Sequence, residues 1–250
     1  MNFKGQVAIS TGAASGMGLL FAQNFAALGG NVVMCDVNEP RLAECVAEIN
    51  EKDGGRAIGV ICDVRDYTQV CAARDRAVEE FGRIDVMASF AGGSSTRILK
   101  VDREKYPEFP DVPIEVFDWG IDVNLKGPFY FAHAVIKQMR EQRSGLIINI
   151  GSISGFKGCH YDADYPTAKS GLMYGLTKSL MQCGAPYGIR CVCISPGPVL
   201  TRAAMAKMQT PMGRAAQPQE IIDLCLYVAS EKGAFINGEN IMIDGGMAAN

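Results

Sequence analysis

The feature that most limits what this chain can fold into is an alternation running from end to end, in which short β-rich runs are separated by longer stretches of helical period. Strands are read at Gln6 to Thr11, Asn31 to Asp36, Ala57 to Cys62, Asp85 to Ser89, Leu146 to Gly151, Arg190 to Ile194 and Asn240 to Ile243. Helical segments fall at Gly16 to Leu28, Arg41 to Lys52, Tyr67 to Phe81, Ile114 to Glu141, Tyr165 to Tyr187 and Pro218 to Ser230. Strands that alternate with helices build βα units, and such units assemble into a parallel sheet with both faces covered. The expectation is therefore α/β: a doubly wound, seven-stranded parallel sheet with helices on both faces, in a single domain over residues 1–250.

Composition narrows the partners. A hydrophobic fraction of 48% supplies a core, yet no apolar run is long enough to span a bilayer. A net charge of −3, with Lys and Arg scattered along the chain, argues against a nucleic-acid surface and for a small-molecule ligand. The opening from Met1 to Gln6 is too short and too polar for a signal peptide, so the expected location is the cytoplasm. Nine cysteines include no C-x-x-C pair and no Cys/His cluster of zinc spacing. They are expected to be reduced and mostly buried, with no metal site.

Two stretches break the rhythm. Ser94 to Pro113 is charged and rich in proline, and a connection of that length reads as a functional lid or a mobile linker. Pro196 to Pro218 follows a strand end and holds one short helix around Leu200 to Met208. Ligands of open α/β sheets bind beyond the carboxyl ends of strands.

After the first strand comes Thr11-Gly12-Ala13-Ala14-Ser15-Gly16-Met17-Gly18, opening a helix. Gly12 allows a tight turn, Gly16 lets the backbone approach a pyrophosphate, Gly18 lets helix and strand pack closely, and the helix N-terminus favours negative charge. Ser15 and Met17 belong to the same phosphate-cradling turn. Asp36 ends the second strand, where an acidic residue meets the adenosine ribose hydroxyls; the bland alternative is a surface turn. A carboxylate there attracts the diol of NAD and repels the phosphate of NADP, so NAD is the expected cofactor. Asp63, with Val64 beside it, follows the third strand, where its carboxylate could accept from the adenine amino group or simply cap a helix.

The decisive constellation is Tyr165-Pro166-Thr167-Ala168-Lys169. Four residues on a helix place the phenol and the ammonium on one face, one turn apart. A free phenol titrates near pH ~10, so it is a poor base at neutrality unless a cation stabilises its anion. Ser152, at a strand's carboxyl end, could hydrogen-bond a substrate oxygen. The bland alternatives are a core tyrosine, a solvated lysine and a turn serine.

With these motifs in order, the whole chain resembles the short-chain dehydrogenase/reductase family in its single-domain form. The resemblance rests on Thr11-Gly12 to Gly18, Asp63, Ala91-Gly92, Asn124 in Asp122 to Gly127, Ser152, Tyr165, Lys169, Pro196-Gly197 and Asp244-Gly245-Gly246. It implies a Rossmann-type fold and hydride transfer between a nicotinamide and a secondary alcohol or ketone. It further implies that Tyr165 exchanges the proton with the substrate oxygen, Ser152 orients that oxygen, Lys169 binds the ribose and lowers the phenol's pKa, and Asn124 holds a relay water. Ala91, Gly92, Pro196, Gly197, Val199 and Thr201 look like further cofactor contacts, and a homotetramer, or else a dimer, is implied.

The chain departs from the family pattern at Ser89-Phe90, where two Asn residues usually precede Ala-Gly. Its segment between Gly92 and Asn124 is longer than usual, and the one after Pro196 shorter, so Ser94 to Pro113 is expected to supply part of the substrate wall. Ser94, Ser154, His160 and Tyr161 are the candidate substrate contacts, although a solvent-facing loop explains His160 and Tyr161 equally well. Cys159 is read as packing, and His133 as a hydrogen-bonded buried or interface histidine. The rival functions are an NADPH-dependent carbonyl or 3-oxoacyl reductase, a hydride-cycling lyase or epimerase, and a non-catalytic cofactor-binding protein.

Overall fold

The computed structural model describes residues 1–249. Seven strands, β1 (Val7–Thr11), β2 (Asn31–Asp36), β3 (Ala57–Ile61), β4 (Val86–Ser89), β5 (Gly145–Ile150), β6 (Ile189–Pro196) and β7 (Asn240–Ile243), form one sheet in the order β3-β2-β1-β4-β5-β6-β7. Every pairing is parallel. The winding reverses between β1 and β4, which opens a crevice at the carboxyl ends of those strands.

Alternation along each strand sends successive side chains to opposite faces and so feeds two apolar layers. On one face Ala8, Val32, Met34, Ile148 and Ile194 pack with Phe21 and Phe25 of helix α1 (Gly16–Ala27), Leu42 of α2 (Glu39–Asn50) and the helix at Pro218–Ala229. On the other, Ile9, Val33, Met87 and Ile147 meet Val70 of α3 (Tyr67–Phe81) and Phe131 and Val135 of a helix at Gly127–Gln142. Asn38 caps α2 by accepting from Arg41 N, and Pro40 sits in its first turn, so the helix starts at Glu39 rather than Arg41. Asp66, not Asp63, caps α3, accepting from the backbone of Thr68 and Gln69.

Neither long helix is uninterrupted. The stretch read as one helix from Ile114 runs as α5 (Ile114–Ile121), an i→i+5 turn at Asp122–Lys126, then α6 (Gly127–Gln142). Here α4 is the four-residue helix Ser95–Ile98, so the excursion is part-ordered, with a 3₁₀ turn at Phe109–Asp111. Pro128 has no N–H to give to the preceding turn, which removes the α-type bond and favours the widening just before it. The second long stretch runs as α8 (Asp164–Ser170), a like turn at Gly171–Leu176 and α9 (Thr177–Gly184), after the short α7 (Ile153–Lys157). There the Thr177 hydroxyl donates to Leu172 O at 2.6 Å. The last helix, Pro218–Ala229, is α10. The short helix placed near Leu200 to Met208 is a 3₁₀ turn at Ala203–Lys207.

Six cysteines are buried, but Cys159 and Cys183 are exposed and Cys71 is half-buried, so packing does not account for Cys159. His133 is exposed as well, and its Nδ1 shares a 2.5 Å hydrogen bond with the Tyr67 hydroxyl. Among the described residues no helix is long and apolar enough to cross a membrane, and no group of three or more His, Cys, Asp or Glu is placed to hold a metal.

Candidate active site

A cleft of about 1010 Å³ opens at the switch between β1 and β4. Its floor is the glycine turn, where Gly12, Ser15, Gly16, Met17 and Gly18 line it, and its walls come from Ala91-Gly92, Ser152 to Ser154, Tyr165, Lys169 and the segment from Pro196 to Thr201. Gly16 has φ of +56°, and a Cβ there would have no neighbour within 4 Å, so the turn presents bare backbone to the cleft. A Cβ on Gly18 would come within 2.5 Å of Gly12 O and 2.7 Å of Thr11 O, so only glycine lets α1 start this close to β1. Ser15 makes no side-chain cap and the first turn of α1 carries no acidic residue. An uncapped helix N-terminus behind an open glycine turn is the arrangement that receives a phosphate, and the residues present fit the pyrophosphate of a dinucleotide.

Asp36 lies at the end of β2 and is not among the residues that line the cleft, with Oδ2 accepting from Ala14 N at 3.0 Å and Oδ1 from Asn38 N at 2.9 Å. The carboxylate is thus pinned beside the turn that leads to Gly16. Asp63 is paired with Arg65, whose guanidinium reaches Oδ2 at 2.6 Å and holds the carboxyl below its ordinary range. Val64 is 6% exposed and packs against Gly127, so only its backbone could meet a ligand.

Three of the four expected catalytic side chains converge. The Ser152 oxygen caps α7 by accepting from Ser154 N at 3.1 Å, which leaves its O–H to donate. Burial pushes the Tyr165 phenol above its usual value, while the Ser152 hydroxyl and the guanidinium groups of Arg202 and Arg97 pull it down. Lys169 is 4% exposed, sits one turn below with Nζ 5.5 Å from the Tyr165 ring centroid, and donates to Ile150 O at 2.7 Å. Burial depresses this ammonium to about 8, so Lys169 is less firmly charged than a surface lysine. Arg202 and Arg97, from the same cleft wall, add two cations that the sequence did not point to.

Asn124 sits behind the cleft in the first wide turn, fully buried. Its amide donates to Gly120 O at 2.9 Å and Gly93 O at 3.1 Å, and its Oδ1 accepts from Gly93 N at 2.9 Å. What it holds here is the loop after β4 rather than a group in the cleft. At the substrate end Ser94 and Ser154 line the cleft, but His160 and Tyr161 do not. His160 is exposed, and Tyr161 is 4% exposed with its hydroxyl donating to Tyr106 O at 2.5 Å. Tyr161 therefore ties down the excursion, and Asp162 takes its place on the cleft wall. Of the loop residues His160, Tyr161 and Asp162, which the sequence offered as pocket lining, only Asp162 lines the cleft, while Arg97, Arg103 and Arg202 are lining residues that no motif reported, although they lie in the two stretches that break the βα rhythm. The departure at Ser89-Phe90 leaves the buried Ser89 Oγ without a partner among the described residues, and the Phe90 ring packs 5.4 Å from that of Phe21.

Comparison with known proteins agrees with this geometry. A family model described as enoyl-(acyl carrier protein) reductase matches residues 12–248. The chain is 38% identical to trans-4-hydroxycyclohexanecarboxylate dehydrogenase of Sinomonas cyclohexanicum, over 98% of this chain and 93% of that one. It is 32% identical to the 3-oxoacyl-[acyl-carrier-protein] reductase FabG of Escherichia coli, over 99% of both. A crystal structure of a 3-oxoacyl-[acyl-carrier protein] reductase with bound NAD from Brucella melitensis superposes with a TM-score of 0.87 at 30% identity, covering 98% of this chain and 92% of that one. These relatives act on alcohols or ketones, and the chain belongs to the short-chain dehydrogenase/reductase family of oxidoreductases.

Proposed function

We propose that the protein is an NAD-dependent dehydrogenase of a secondary alcohol, with Tyr165 as the proton acceptor. The observation that carries this reading is the meeting of Ser152, Tyr165 and Lys169 at one end of a cleft whose other end is the open glycine turn. When bound, the nicotinamide supplies the acceptor for the hydride that leaves the alcohol carbon. Ser152 donates its O–H to the substrate oxygen and fixes it beside the phenol. Tyr165 takes the hydroxyl proton as the carbonyl forms, and gives it back in the reverse direction. Lys169, anchored by Ile150 O, keeps N–H donors that can face the cofactor ribose. Asn124 keeps the Gly92-Gly93 wall in place.

NAD rather than NADP follows from Asp36, whose pinned carboxylate would repel a phosphate on the adenosine ribose. The NAD named with the Brucella neighbour supports the same choice. The substrate class is a secondary alcohol or its ketone, among sugars, polyols, hydroxysteroids and hydroxy acids, and D-threitol dehydrogenase of Mycolicibacterium smegmatis, 34% identical over 97% of this chain, fits that range. A second reading, a 3-oxoacyl reductase, draws on the likeness to FabG.

The test is cofactor reduction at 340 nm with NAD or NADP over 4-hydroxycyclohexanecarboxylate, threitol, hydroxysteroids and 3-hydroxyacyl thioesters. Turnover with NAD that falls by about 10²- to 10⁴-fold in Tyr165→Phe, with cofactor binding kept, is the expected result. Equal turnover in the variant would remove Tyr165 from the chemistry, and a preference for NADP would remove Asp36 from the choice of cofactor.

A further inference from the structure

The substrate end of the cleft is strongly cationic. Arg97, Lys100, Arg103, Lys169 and Arg202 line it against the single carboxylate of Asp162. That carboxylate is already engaged, accepting from Thr96 Oγ1 at 2.7 Å and lying 3.8 Å from Arg103, which also stacks 4.1 Å over the Tyr161 ring. Lys169 is committed to Ile150 O. Among the described residues neither Arg97 nor Arg202 has a carboxylate within 4.0 Å.

These two guanidinium groups come from different segments and are brought together by the fold. Arg97 stands on α4, which is fastened to the chain just before Tyr165 by the Ser95 hydroxyl on Asp164 and by Thr96 on Asp162. Arg202 follows Thr201 beyond the end of β6. Burial and then the Arg202 charge hold the Arg97 guanidinium below its usual value, and both arginines line the one cleft with Tyr165. Two guanidinium groups on the wall of one cleft, neither with a carboxylate partner among the described residues, form an arrangement that a bound anion relieves.

We infer that Arg97 and Arg202 form an oxoanion clamp, so that the substrate is a secondary alcohol carrying a carboxylate or a phosphate on its far side from the carbinol carbon. The inference rests on the dehydrogenase reading for the alcohol but not for the anion. A fork of parallel N–H donors matches either oxoanion, and the anion held there fixes which face of the carbinol meets Tyr165.

The test compares matched pairs on wild-type enzyme and on the double variant Arg97→Gln/Arg202→Gln. The carboxylate pair is 4-hydroxycyclohexanecarboxylate and its methyl ester, and the phosphate pair is sn-glycerol 3-phosphate and glycerol. Wild type is expected to favour the charged member of one pair by about 10- to 100-fold in kcat/KM, with the pair identifying the anion, and the double variant to bring that ratio near one. Binding without turnover is read in parallel, by calorimetry of cyclohexanecarboxylate, cyclohexanecarboxamide and inorganic phosphate on enzyme loaded with NADH. Anion-selective binding that the double variant loses upholds the clamp even where no alcohol is oxidised, an outcome that would overturn the dehydrogenase reading alone. Turnover with no preference for either charged member overturns the clamp alone. So does a preference that survives in the double variant, or a variant whose main defect is a raised Kd for NADH, which would assign the arginines to the cofactor's pyrophosphate.

Discussion

Lys169 carries an ammonium into a place that disfavours charge, and the sign of that conflict is measurable. The folded chain releases this proton near pH 8, whereas an ordinary lysine holds it to 10.5. Between those values the unfolded chain binds more protons, so this site makes stability rise with pH, and below about pH 8 the cost of the buried charge is fully present. In Lys169→Met that rise is absent. The stability of wild type relative to the variant is expected to climb by up to about 3 kcal/mol from pH 8 to 10.5, read from urea unfolding at each pH. A difference flat across that range would mean that Lys169 is no more buried than a surface lysine. Ser89 gives a second residue-scale test. Among the described residues its buried hydroxyl lacks a partner, and it lies in register with Asn149, whose Oδ1 is likewise unpartnered. Removing an unsatisfied buried hydroxyl costs little, so Ser89→Ala is expected to hold stability or raise it by up to about 1 kcal/mol. A loss larger than that would reveal a partner such as a buried water. The sequence made Tyr165, Lys169 and Ser152 legible because fixed spacings report them. It did not show that Asn124 binds backbone or that Arg97 and Arg202 line one cleft with Tyr165, because those placements join segments remote in the chain.

At the scale of elements, the join between β1 and α1 decides whether the cofactor end exists. Gly18 is the tightest point, since its missing side chain lets α1 rest on the carbonyls of Thr11 and Gly12. Those atoms are backbone and cannot move without shifting strand or helix. Gly18→Ala is expected to destabilise the fold by about 1–3 kcal/mol and to weaken NADH binding, checked by thermal unfolding and fluorescence titration. An unchanged Tm would show that α1 can slide outward freely. The strands themselves were legible to within a residue or two, because burial on both faces of a parallel sheet leaves short continuous apolar runs such as Val7 to Ile9 and Leu146 to Ile148. The two wide turns at Asp122–Lys126 and Gly171–Leu176 were not legible, because each is one inserted residue in a stretch apolar around much of its circumference, where a single phase shift leaves no clear break. Their effect is local: they lie on neighbouring helical stretches, where Gly120 of α5 faces Asp164 of α8, next to Tyr165. The excursion was legible as an irregular insert but not as an anchored one, since Tyr161, Thr96 and Ser95 fasten it through contacts that no local pattern encodes.

At the scale of the molecule, one aromatic surface has no covering element among the described residues. Tyr67 of α3 and Phe129, Tyr130 and His133 of α6 form a contiguous group, with ring centroids 5.3 to 6.1 Å apart. Phe129 is 44% and Tyr67 38% exposed, although both are large apolar side chains on helices whose opposite faces are fully packed. An aromatic cluster of this kind gains by being covered, since burial removes apolar area from water at roughly 25 cal/mol per Å². A homotetramer or dimer, which the family resemblance implies, is expected to use this face, since closed symmetry places the same patch on each subunit. Light scattering is expected to give the mass of four chains for the wild type, or of two. In Phe129→Asp a desolvated carboxylate would face the partner, and a smaller mass is expected, with the fold of the separated chain retained because Phe129 contributes little to its core. A monomeric wild type would remove the assembly, and a variant of undiminished mass would move the contact to another face.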